Sequence, residues 1–174
     1  MNAIAIIGFS FLLLFLEALT DAFAHRQKMS KKVIYGYLNH AAQPLTFMAY
    51  FVFGGAFLYW VMRLNDVSAF AALIQPMTLW MGLGYVMIRI GFFNWFFVWL
   101  ADYKDDNGDA LGTTSFIDVI AYGILTLIGK GMDWVFKLFG GTFNYRYLIL
   151  LYNAGKILIA FLGCVIIARY GSYQ

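Results

Sequence analysis

The sequence predicts an all-α fold: a polytopic membrane helical bundle of four transmembrane helices plus one amphipathic interfacial helix, with five spans as the alternative. Three observations predict it. Of the 174 residues, 63% are hydrophobic and only 12% are charged, whereas soluble domains carry about 25% charged residues. The mean hydropathy is +0.74, so polar side chains cannot clothe the exterior and it must meet lipid. Finally, the apolar residues fall into runs near the roughly 20 residues that one helical crossing requires. Aromatic residues, 20% of the chain, suit helices that pack in lipid and anchor at its interfaces.

The first span covers 3–24 and is apolar until Glu17. Ala22, Phe23 and Ala24 imitate a signal-peptide cleavage site, but no basic stretch precedes the run and Glu17 and Asp21 interrupt it. It therefore reads as a retained helix. Residues 25–41 read as a polar, basic connector. The second span is 43–62, with Pro44 placed in its first turn, where a missing N–H costs least. After a tight connection at 63–66 comes an apolar run, 69–101, read as one long tilted helix kinked near Pro76.

Asp102, Asp105, Asp106, Asn107, Gly108 and Asp109 then form an acidic loop with a turn signal at Asn107 and Gly108. Its likeness to a calcium loop fails, because Tyr103 and Thr114 would occupy the first and last ligand positions. Ser115 and Asp118 resemble a capping box. They open a helix at 116–139 on which Thr126, Lys130, Asp133 and Lys137 fall within about 60° of one another. That stripe marks an interfacial helix or one that turns its polar side inward. The last span covers 147–168.

Basic residues choose between the arrangements. With 116–139 lying flat, one side holds Arg26, Lys28, Lys31, Lys32, Lys104, Lys130, Lys137 and Arg146, and the other only Arg63 and Arg169. A crossing helix gives a weaker bias. The expectation is therefore four spans, both termini outside, and the basic loop 25–41 in the cytoplasm. Next to a hydrophobic run, that basic cluster is a topology signal rather than a nucleic-acid patch. Nothing divides the chain, so residues 1–174 read as a single integral membrane domain.

Ionisable groups in hydrocarbon cost at least about 2.5–3.5 kcal/mol each on insertion scales. At about 1.5 Å per residue, Glu17, Asp21, Arg89, Asn94, Asn153 and Lys156 all fall in the cytoplasmic half and form an expected intramembrane polar cluster. Glu17, Asp21 and His25 share a face at i, i+4, i+8. One reading is a metal or proton site, with His40 as a fourth group. The favoured reading is that Glu17 and Asp21 neutralise Arg89 and Lys156 and hold three helices in register.

No zinc-ligand spacing, phosphate-binding glycine loop or cofactor-binding signature is present. Ser10, Ser30, Ser68, Ser115 and Ser172 lack a Gly-x-Ser-x-Gly setting. Gly54, Gly55, Gly82 and Gly84 suggest close helix packing, and Gly112–Ser115 a simple helix cap. The solitary Cys164 reads as a buried thiol. No catalytic residue is assigned, and an enzyme is the less favoured class.

Three functions remain open. The preferred one is a helical membrane subunit or assembly partner, bound to other membrane proteins or to copies of itself. The others are a small ion or proton transporter, including a holin-like protein, and a lipid-active membrane enzyme. In each case the lipid bilayer is a partner and nucleic acid is not.

Overall fold

A computed structural model describes residues 2–101, 116–144 and 146–171, with backbone alone for 116–122, Arg146 and Ile149. All its regular structure is helical: α1 (Ala3–Ser30), α2 (Val33–Asn65), α3 (Ala69–Leu73), α4 (Pro76–Ala101), α5 (Phe116–Leu138) and α6 (Arg146–Gly171). Four helices are long and apolar enough to cross a membrane: α1, α2, α4, and α6 over Leu150–Gly171. The fold is the expected all-α bundle.

Residues 25–41 are not a loop. α1 runs on to Ser30 and α2 starts at Val33, leaving a turn of Lys31 and Lys32. Lys31 adopts the left-handed conformation at φ 54° and its N–H donates to the Gln27 carbonyl at 2.9 Å, closing α1. Charge alone does not break a helix, and no proline or glycine lies between His25 and Tyr35. A 28-residue helix is about 42 Å long, beyond the roughly 30 Å hydrocarbon core. The polar stretch is helical rather than unwound, and α1 is longer than a single crossing requires.

Pro44 consequently lies inside α2 rather than in its first turn. There its ring nitrogen has no N–H to offer the His40 carbonyl. The run 69–101 is likewise two helices. Pro76 disfavours helical geometry at Gln75, so α3 ends at Leu73 and α4 begins on the proline itself. Ser68 caps α3 by accepting from the Ala71 N–H, and the Thr78 hydroxyl donates to the Ala72 carbonyl at 2.7 Å across the break. The acidic loop, the Gly112–Ser115 cap and the side chain of Asp118 lie outside the described residues.

α1 is the centre of the bundle, with α2, α4 and α6 packed on it; α4 and α6 pack tightly on each other. Leu14, Ala18, Ile88 and Ile167 are fully buried in the shared core. Glycines set the α4–α6 distance. A Cβ at Gly91 would lie 2.3 Å from the Ala160 Cβ and 2.7 Å from the Lys156 carbonyl, and one at Gly163 would lie 2.6 Å from the Gly84 carbonyl. Gly54, Gly55 and Gly82, by contrast, have open space around their Cα atoms, so the expectation of close packing holds within this chain only for Gly84.

Neighbour order along α4 and α6 makes them antiparallel: Gly91 meets Ala160, Gly84 meets Gly163 and Ile167, and Met81 meets Gly171. Gly171 also touches Ala3. One end of the bundle therefore gathers the starts of α1 and α4 and the end of α6. The opposite end gathers the α1–α2 turn, Ala101 and Arg146. Because α4 ends and α6 begins there, the segment containing α5 leaves and returns at the same end, as four spans require.

Candidate functional site

Midway along α1, Glu17 faces α4. Arg89 Nε donates to both of its carboxylate oxygens, at 3.2 Å (Oε1) and 3.0 Å (Oε2), and Nη2 also donates to Oε1. The Arg89 guanidinium additionally rests 4.7 Å from the Phe93 ring centroid, one turn along α4. A guanidinium is planar and always charged, so a side-on, two-oxygen grip is its strongest pairing with a carboxylate. The side chains keep 38% (Arg89) and 23% (Glu17) of their exposure, so the pair is not sealed in the core.

From α2, the Tyr50 hydroxyl donates to Glu17 Oε2 at 3.1 Å and lies 2.6 Å from the Tyr85 hydroxyl of α4. An ionised carboxylate only accepts, so Tyr50 spends its proton on Glu17. The proton between the two phenols is then Tyr85's, which gives the chain a direction: Tyr85 to Tyr50 to Glu17. One carboxylate is thus shared by α2 and α4, which pack on α1 from two sides, and the tyrosines reach across between them.

The other expected residues are placed as follows. Asp21 lies one turn beyond Glu17 and is exposed. Lys156 is buried at 4% exposure, with Nζ 5.2 Å from the Tyr152 ring centroid, and its backbone abuts Gly91, two residues from Arg89. Asn94 and Asn153 are half-buried. A second polar link joins α1 and α2 one turn from the tyrosines: the Thr20 and Thr46 hydroxyls are 3.0 Å apart, so one donates to the other. The second hydroxyl keeps its proton for the carbonyl one turn back in its own helix, Leu16 for Thr20 or Ala42 for Thr46.

The possible metal ligands are not brought together. The His25 ring packs edge-on against Phe97 at 5.7 Å, and His40 is exposed on α2. Among the described residues no group of three or more His, Cys, Asp or Glu side chains is placed to hold a metal ion. Cys164 is half-buried.

Tyr50 and Tyr85 are the site residues that sequence reasoning missed, because tyrosine in a span reads as an interfacial anchor. Signals were present. Tyr50 falls well inside a span, and Tyr85 precedes Arg89 by four residues, on the same helical face. Chemically, the cluster satisfies itself: three N–H contacts and one O–H occupy the Glu17 carboxylate, and little of it is left for a ligand. No protein-family model, curated protein or solved structure matches the chain.

Proposed function

We propose that the chain is a multi-pass membrane subunit or assembly partner whose intramembrane polar cluster serves structure, with the basic α1–α2 turn on the cytoplasmic side and both termini outside. The observation that carries this reading is the saturation of Glu17 by Arg89 and Tyr50. A carboxylate held by three helices and committed on both oxygens suits a clamp better than a proton relay or a catalytic base, which need an acceptor position in reserve. The outward surface fits as well: of the 33 residues of α2 only Gly36, Asn39, Ala42, Thr46 and Val61 are buried. That leaves a long face with Phe47, Met48, Phe51 and Val52 outward, where lipid or a partner helix packs.

The test is isolation from native membranes in mild detergent, followed by native mass spectrometry. A defined complex, with other membrane proteins or with copies of the chain, is expected. A monodisperse, partner-free monomer sinks the reading. In liposomes the wild type should pass ions or protons no faster than empty vesicles; flux abolished by Glu17→Gln in a folded protein would replace the clamp with a transporter. For orientation, a membrane-impermeant thiol reagent should reach Gly141→Cys, in a Cys164→Ala background, only from the cytoplasmic face.

A further inference from the structure

α5 carries its apolar face the wrong way round for a helix that packs on its own protein. Leu127, Trp134 and Leu138, which lie within about 40° of one another on the helix, are 71%, 65% and 65% exposed. Ile124 and Val135 continue the same surface, also exposed. The side turned to the rest of the chain is the other one. Gly129 is buried there, and Asp133 binds the Phe143 N–H at 3.3 Å, tying α5 to the connection that leads into α6. The neighbouring Lys130 is exposed, and Lys137 is exposed beside Asp133.

We propose that α5 is an anchor for an anionic phospholipid surface. Its apolar face enters the acyl boundary of the leaflet at the end of the bundle that carries the α1–α2 turn, while Lys130 and Lys137 take lipid phosphates. Two observations select lipid as the occupant. The spans on either side of α5 both terminate at this end, and the short connection 139–145 keeps α5 close to the start of α6. A helix tethered there sits at the level of the headgroups, where an amphipathic helix is stable lying in the plane. Charge then selects the class of lipid. Among the described residues, Lys28, Lys31 and Lys32 are exposed at this end and Lys130 and Lys137 on the tethered α5, against Asp133. The opposite end offers Arg63 and Arg169, with Asp66 nearby. The acidic segment 102–109 also leaves from the α5 end, so the lysines of α5 itself carry the selection. A basic surface beside a buried apolar face is the pattern that concentrates anionic lipid.

The experiment uses the full chain in nanodiscs of phosphatidylcholine, alone or mixed with phosphatidylglycerol. An environment-sensitive fluorophore is placed at Leu127→Cys or at Lys130→Cys, each in a Cys164→Ala background. The Leu127 probe should be several-fold less accessible to a neutral aqueous quencher than the Lys130 probe. Native mass spectrometry should find phosphatidylglycerol retained several-fold above its bulk ratio, and Lys130→Gln with Lys137→Gln should return it towards that ratio. If the pair of substitutions impairs reconstitution, Lys130→Gln alone carries the comparison, since that side chain is exposed. Equal accessibility of the two probes overturns the proposal. So does protection of Leu127 only when two chains share a disc, which would make a second copy the occupant. Retention at the bulk ratio overturns the anionic assignment.

Discussion

Arg89 of α4 meets Glu17 of α1 side-on, its Nε donating to both carboxylate oxygens of a residue 72 positions away in the chain. Each group is the other's main compensation for leaving water. Removing one is therefore worse than removing both. Arg89→Leu should destabilise the fold by about 3–5 kcal/mol, because Glu17 keeps its charge without its counter-ion. Adding Glu17→Gln should recover part of that loss. Thermal unfolding in detergent measures both; an Arg89→Leu protein as stable as wild type would show the pair to be idle.

Tyr50→Phe removes the phenol that donates to Glu17 but leaves the ion pair standing. Hydrogen bonds between membrane helices average about 0.6 kcal/mol and reach about 1.7. The expected cost lies in that range, well below that of Arg89→Leu. Tyr85→Phe removes the donor at the head of the chain and should cost no more. Matched unfolding curves for the two tyrosine variants check the ordering.

Glycine substitutions should divide sharply. At Gly91 a new methyl meets the Ala160 Cβ and the Lys156 carbonyl, and backbone cannot yield as a flexible side chain can. Gly91→Ala should cost at least about 1–3 kcal/mol. At Gly54 nothing lies within 4 Å, so Gly54→Ala should be neutral, or stabilising by up to about 1 kcal/mol through helix propensity alone. Should Gly54→Ala disturb a complex while leaving the isolated chain stable, that face of α2 is occupied by a partner.

Asp133 supplies the pH dependence of the α5–α6 connection. Its bond from Lys137 Nζ at 2.7 Å, then the one from the Phe143 N–H, hold its carboxyl below the ordinary value of 3.8. Because the folded value is the lower one, the ionised form favours the tied connection. Its contribution is complete above 3.8 and disappears as pH falls through the depressed value. Protection of the Phe143 amide, corrected for its intrinsic exchange rate, should be high at neutral pH and fall only in strong acid. Asp133→Asn should flatten that dependence.

Much of this architecture was legible in the residues, and the exceptions have physical causes. The long apolar runs revealed the four spans, since lipid tolerates little else. Reading Arg89 as needing a counter-charge on the first span required only the cost of an ion in hydrocarbon. The stretch from His25 to Ala41 misled because polarity reports the surrounding medium, not the backbone geometry; α1 and α2 simply continue through it as helix. Pro76 marked a break whose severity the sequence understated, and Pro44 lay further into its helix than its neighbours implied. Tyr50 and Tyr85 were hidden because a phenol belongs equally to an interface or to a network. Only the third dimension brings two of them together over one carboxylate.

The antiparallel seating of α4 against α6 has an implication for how the chain tolerates change. Since Ala101 and Arg146 emerge on the same face, everything from 102 to 145 is topologically a detour off a hairpin. It is open to lengthening, trimming or exchange without rethreading any crossing. Variation between close cousins of this chain, and room for an engineered insertion, should concentrate in that detour, while the glycine-lined seam that it interrupts stays fixed.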